Sequence, residues 1–265
     1  MSTAFWRERP GLAGGIDKDG SQATVLLSSG FGSVEFGTVT PLPEPGHNPG
    51  VVALMARLST VDRSKSKGAQ IGVSLGAGIG ASPAALAVEW LAGMRAAWTM
   101  ADYLCFNLSA RAYRPLLDAR HATLLIDAIG TIMRERERLA TRTGRRLAVA
   151  LKLPLGEMGE QRRGRLAAIA ATGLDALVAV LPEDGERWAA LQEAVSVCQG
   201  KALVIAVGGI RTAEDVRAVL AAGAVGIQVH SAFVERGVDC LPPLLEGLSA
   251  ATSGMPATPV ISEAP

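Results

Sequence analysis

The stretch ALVIAVGGIRTAEDVRAVLAAGAVGIQVHSAFVERG (residues 202–237) decides the fold. Two short apolar runs, ALVIAV (202–207) and VGIQVH (225–230), flank the segment RTAEDVRAVLAAG. Runs this short and this rich in Val, Ile and Ala fit strands buried on both faces. Between them, Thr212 is placed to cap a helix, Glu214 and Asp215 fall in its first turn, and Gly223 stops it. Val216, Val219 and Leu220 give that helix one apolar face for docking on a sheet. A strand, a helix and a second strand at this spacing imply parallel pairing through a right-handed crossover.

Six further runs of the same kind precede this unit: GLAGGI (11–16), SVEFGT (33–38), AQIGVSL (69–75), DYLCFNL (102–108), LAVALKL (147–153) and DALVAV (175–180). Several are followed by Gly, Ser or Pro and then by helical periodicity. Eight such units fit a closed α/β architecture, the (β/α)8 TIM barrel of about 250 residues. An open sheet of six or seven strands would turn one or two of the runs into loops. The expected organisation is a single barrel over 1–248 and a flexible tail over 249–265, SAATSGMPATPVISEAP. A helix is expected from about His121 to Leu139, and the charge run RERERLATRTGRR (134–146) reads as a solvated face and connector. RSKSKG (63–68) reads as a mobile basic loop, with phosphate grasping as the weaker alternative.

Composition narrows the function classes. Apolar residues make up 49% of the chain and aromatics only 4%, so the core is built from Ala, Val, Leu and Ile. Twenty-six Lys and Arg face 25 Asp and Glu, which leaves no global field for nucleic acid or an anionic membrane. Cys105, Cys198 and Cys240 stand far apart without a CxxC, against a disulfide framework or a zinc site and for a reducing compartment. The start, MSTAFWRERPGLAGG, is too short in apolar residues for a signal peptide, and no run approaches the roughly 20 needed to span a bilayer. The expectation is a cytoplasmic protein without membrane or nucleic-acid partners.

VGGI (207–210) ends one strand and VHSAF (229–233) follows the next, so both loops lie side by side where barrel active sites form. Glycine loops expose backbone N–H groups that hold a phosphate without a lysine. A lone glycine pair could equally serve a tight turn; two such loops on consecutive strands favour phosphate.

GLAGGIDKDGSQATVLLSSGFGSVEFGTVTPLPEPG (11–46) resembles the opening of the dihydroorotate dehydrogenases, in particular their single-chain FMN-binding barrels. The DKxG turn is here Asp17-Lys18-Asp19-Gly20, and the GTVTPxPxPG signature is intact from Gly37 to Gly46. Lys152 in ALKLPL resembles the family's fifth-strand lysine, and the likeness covers most of the chain. It implies an FMN cradle. Ala13 and Gly14 would let backbone approach the isoalloxazine, with Thr38, Ser74 and Asn107 near it. Lys152 would lie against its pyrimidine ring. Gly208, Gly209, His230 and Ser231 would hold the phosphate, and Lys18 would face both flavin and substrate. The bland alternative for Lys152 is a strand-end lysine reaching solvent, which so apolar a strand disfavours.

The departures fall on the substrate side. Where the family has an NxSSPNT-like loop with a serine base, this chain reads NLSARAYRPL, with Ala110 at the base position and Ala112 at the asparagine position. Ser109 is the remaining hydroxyl and the weaker candidate for the base. The covering GFNN-like loop is absent, and Leu181 and Pro182 replace an asparagine-bearing turn. Tyr103 reads as packing, and Tyr113 and Arg114 as a solvent-facing loop pair. Glu35 reads as half-buried beside a basic neighbour, and His47 and His230 lack a second ligand at metal spacing. No metal site is expected.

The reading is an FMN-dependent oxidoreductase of the CH–CH type, acting on a ring substrate other than dihydroorotate or on a redox partner. The alternative is a non-catalytic flavin-binding or flavin-free subunit or scaffold. A phosphate-binding isomerase or aldolase using Lys152 as nucleophile is opposed by the DKDG and GTVTP matches. The resemblance further implies a homodimer. The start of the chain does not resemble the helical extension of the quinone-linked class, which speaks against quinone as acceptor.

Overall fold

Side chains on a barrel strand alternate between the interior and the surrounding helices, and here the two faces differ in size. In the computed structural model, which describes residues 3–156 and 160–253, eight parallel strands close in chain order. They are β1 (Gly11–Leu12), β2 (Ser33–Val39), β3 (Gln70–Leu75), β4 (Tyr103–Asn107), β5 (Ala148–Pro154), β6 (Ala176–Val180), β7 (Leu203–Val207) and β8 (Gly226–Val229). β1 closes the ring by pairing with both β2 and β8, so the expected (β/α)8 TIM barrel is the observed fold. β1 is shorter than its apolar run, because the chain turns away at Gly14, although Ala13 N–H still reaches Val229 O at 2.9 Å.

Leu104, Phe106, Val149, Leu151 and Ile227 point outward into the main core beneath the helices. The inward set is smaller: Ala13, Cys105, Ala148, Ala150, Ala176, Val178 and Ile205, with Tyr103 as its one large member from the strands. Alanines on one side leave room for polar side chains from β2, β5 and β8, and these become the floor of the site.

The helices are α1 (Phe5–Glu8), α2 (Ala23–Ser28), α3 (Val51–Leu58), α4 (Leu86–Ala97), α5 (Ala122–Thr143), α6 (Glu160–Ala170), α7 (Arg187–Cys198), α8 (Ala213–Ala221), α9 (Ser231–Arg236) and α10 (Leu241–Ser253). α1 plugs the N-terminal end of the barrel: Trp6 is buried, and the Phe5 and Trp6 rings lie 5.4 and 5.5 Å from that of Tyr103. α8 carries the expected cap as a full capping box, Thr212 and Asp215 each satisfying the other's backbone N–H.

Three expectations need correction. The charge run is not simply a solvated face: α5 continues to Thr143, stopped by Gly144 in the left-handed region, and Glu135 and Arg136 are buried. Glu135 takes Arg95 of α4 and Arg138, while Arg136 takes Asp175, so these charges clamp α5 to its neighbours. The 63–68 segment precedes β3 and lies at the barrel end opposite the active face, where Arg63 pairs with Asp102. It cannot grasp a phosphate at the strand C-termini. The last helix runs to Ser253, five residues into the expected tail; 254–265 lies outside the described residues.

Candidate functional site

Neighbouring strand ends put polar side chains within reach of one another. Asn107, last in β4, donates from Nδ2 to Thr38 Oγ1 at 2.7 Å, and Thr38 Oγ1 lies 3.0 Å from Ser74 Oγ on β3. The Asn107 carbonyl oxygen accepts both the backbone N–H (2.8 Å) and the hydroxyl (2.7 Å) of Ser109. Four residues singled out in the sequence thus share one network. The Ser109 hydroxyl donates to Asn107, and among the described residues no basic side chain takes its proton. Ala110 and Ala112 are exposed and supply no polar atom.

Lys152 enters the same space from β5, opposite Asn107 in register, and is 6% exposed. Its ammonium lies 3.9 Å from Glu35 Oε1, inside the barrel. Glu35, half-buried on the sequence reading, is 1% exposed, and the neighbour it finds is basic. Its other oxygen accepts from Gln228 Nε2 at 3.0 Å and from the Tyr103 hydroxyl at 3.4 Å. Burial, then the Glu35 charge, pushes the Tyr103 phenol well above its ordinary pKa, so it stays a hydrogen-bond donor. Partial burial and the nearby Lys152 charge lower the His230 pKa, which favours a neutral imidazole at neutral pH.

Above this floor, the chain carries glycines just past the ends of β1 and β7. A Cβ on Gly14 would lie 2.8 Å from Glu35 Oε1, and one on Gly208, at φ +111°, would lie 3.1 Å from Leu181 O. Among the described residues, the N–H groups of Gly208, Gly209, Ser231 and Ala232 donate to no protein acceptor. A planar ring can approach such a backbone, and free N–H groups on consecutive loops suit a phosphate. The residues present therefore fit FMN. Sequence reading missed Arg187, which reaches the loop after β7 from the start of α7: it donates to Gly209 O at 3.3 Å and pairs with Asp215 at 3.0 Å. Nothing in its local pattern marks it, since the contact crosses from one loop to the next.

Lys18 projects from a turn that its neighbours fasten. Asp17 accepts from the N–H groups of Gly20 (2.8 Å) and Gln22 (2.9 Å), and Asp19 pairs with Arg57 of α3. Hydrogen bonds from Ser21, with Arg57 adding to them, hold the Asp19 carboxyl down at about 2. Lys18 itself is exposed. Tyr113 is not solvent-facing as expected: it is buried, donates to Ala77 O at 2.8 Å, and pins the turn after β4 across the end of β3. Burial raises its phenol to about 12. Arg114 and His47 are exposed, and no group of three potential metal ligands occurs among the described residues.

No family model matches the chain. Curated relatives do. It is 28% identical over 283 aligned positions to a dihydroorotate dehydrogenase (quinone) of Akkermansia muciniphila, covering 91% of this chain and 81% of the relative. The enzyme of the same name from Pseudomonas putida is 29% identical over 286 positions, covering 93% and 83%. Among solved structures, the dihydroorotate dehydrogenase of Eimeria tenella in complex with ferulenol superposes with a TM-score of 0.77 at 22% identity, over 93% of this chain and 82% of that one. With a likeness over about nine-tenths of the chain and the same closed barrel, this protein is similar in sequence to the dihydroorotate dehydrogenases and shares their fold.

Proposed function

We propose that this chain binds FMN across the C-terminal ends of its strands and works as a flavin-dependent oxidoreductase on a substrate other than dihydroorotate. The observation that carries the reading is the division of the site. The polar network of Thr38, Ser74 and Asn107, the buried Lys152 and the bare glycine loops are all in place. The loop after β4 offers Ala110, Ala112 and a Ser109 spent on Asn107. When bound, FMN supplies hydride acceptance and donation. Lys152 would place positive charge beside the flavin's pyrimidine ring, Asn107 and Thr38 would orient that ring, and the free amides of the β7 and β8 loops would hold the phosphate. An alanine takes no proton, and unpaired polar edges of a pyrimidine substrate would be costly to bury against Ala112 and Leu181. Quinone is named for the relatives; here the partner is a ring substrate or redox partner met at the open flavin face, and a homodimer is expected in sedimentation.

The test is the absorbance spectrum of the purified protein, the mass of the released chromophore, and anaerobic mixing with dihydroorotate. FMN that stays oxidised in dihydroorotate is expected. Rapid bleaching would overturn the change of substrate, and no uptake of added FMN would overturn the flavin reading. The tied hydroxyl of Ser109 is what favours the second reading, a non-catalytic subunit, which predicts bound flavin that no small ring substrate reduces or oxidises.

A further inference from the structure

Glu35 and Lys152 come from β2 and β5, strands that are not neighbours, and meet across the barrel interior. Their side chains are 0% and 8% exposed, which is costly for both charges unless they are paired. Glu35 Oε2 is satisfied by Gln228 and Tyr103. Glu35 Oε1 accepts no hydrogen bond and lies 3.9 Å from the Lys152 ammonium. The same oxygen lies directly under the glycine floor, since a Cβ on Gly14 would come within 2.8 Å of it. Among the described residues no other carboxylate lies within salt-bridge distance of Lys152.

We infer that Glu35 is a positioning residue: it tethers the Lys152 ammonium from inside the barrel and sets how much net positive charge the site presents to a bound flavin. The inference rests on the FMN reading above. A lysine alone in this dry interior would stabilise the extra negative charge of a reduced flavin strongly. A carboxylate beneath it offsets part of that field, so the pair holds the flavin's tendency to be reduced at an intermediate level. Gln228 and Tyr103 fix the carboxylate and so fix the offset.

The experiment equilibrates FMN-loaded protein with a redox dye and reads the reduced-to-oxidised flavin ratio at a fixed dye potential, with no substrate present. Glu35→Gln keeps the shape and removes the charge, and is expected to raise that ratio about ten-fold, or about 30 mV for a two-electron couple. Lys152→Met should lower it, and adding Glu35→Gln to Lys152→Met should bring it back toward the wild-type value. That second comparison carries the test if Glu35→Gln alone does not fold. A purely structural Glu35 would change stability or flavin occupancy and leave the ratio where it was, and that result overturns the inference. Wild-type protein that takes up no FMN overturns the flavin reading first, and this inference with it.

Discussion

Asn107→Ala removes the partner of three hydrogen bonds at once, leaving Ser109 and Thr38 without the group that orders them. The expected cost is about 1–3 kcal/mol in urea unfolding, with FMN affinity weakened about ten-fold. Fluorescence titration of the apoprotein checks the second number, and an unchanged affinity would take Asn107 out of the flavin site. Ala110→Ser puts a hydroxyl at the position that the resemblance assigns to the base. It is expected to leave the protein unable to oxidise dihydroorotate, because Ala112 and Leu181 still offer the ring no partner. Turnover restored by that one change, read as anaerobic flavin bleaching, would show that a single residue separates this site from its relatives' site. At this scale the sequence shows that Thr38, Ser74 and Asn107 stand at or one residue before the ends of their strands. It does not show that Ser109 turns back onto Asn107, which depends on the path of the following loop.

Elements translate local signals into placement with varying fidelity. α8 starts where Thr212 says it should, and Thr212→Ala is expected to cost about 1 kcal/mol in chemical denaturation. Asp215→Ala should cost more, since Asp215 also receives Arg187 and the Arg211 N–H, and with it the Gly209 loop loses its brace. Equal costs for the two variants would mean that the Arg187 contact contributes nothing. Gly208→Ala forces a side chain into φ +111° and against Leu181 O, so FMN binding should fall at least ten-fold while circular dichroism stays unchanged. Strand positions followed their apolar runs to within a few residues because both faces of every strand are covered. α5 outran its expected end because periodicity cannot reveal that the buried Glu135 and Arg136 find charged partners on α4 and before β6.

Across the whole molecule, the clamp at Glu135 ties folding to pH. Arg138, then Arg95, lowers its carboxyl from 4.5 to about 2. A depressed carboxyl stabilises the fold above its unfolded pKa and loses that contribution as pH falls through the folded one. The thermal unfolding midpoint should therefore fall as pH drops from about 4.5 to about 2, and Glu135→Gln should flatten that part of the fall; an equal slope in both proteins would dismiss the clamp. Eight apolar runs separated by helical segments, with turn glycines at their ends, determined the barrel from the sequence by itself, because parallel strands buried on both faces require that covering and that order. The strand-end glycines, Lys152 and Asn107 were legible for the same reason: a position at the C-terminal end of a strand is a local property. Closure decided the rest. Gln228 and Glu35 stand 193 residues apart and bond at 3.0 Å, and Lys152 meets Glu35 from a strand that is not its neighbour. Such pairings depend on the register at which the ring shuts and on the small residues that leave the interior open, and these exist only in the folded chain.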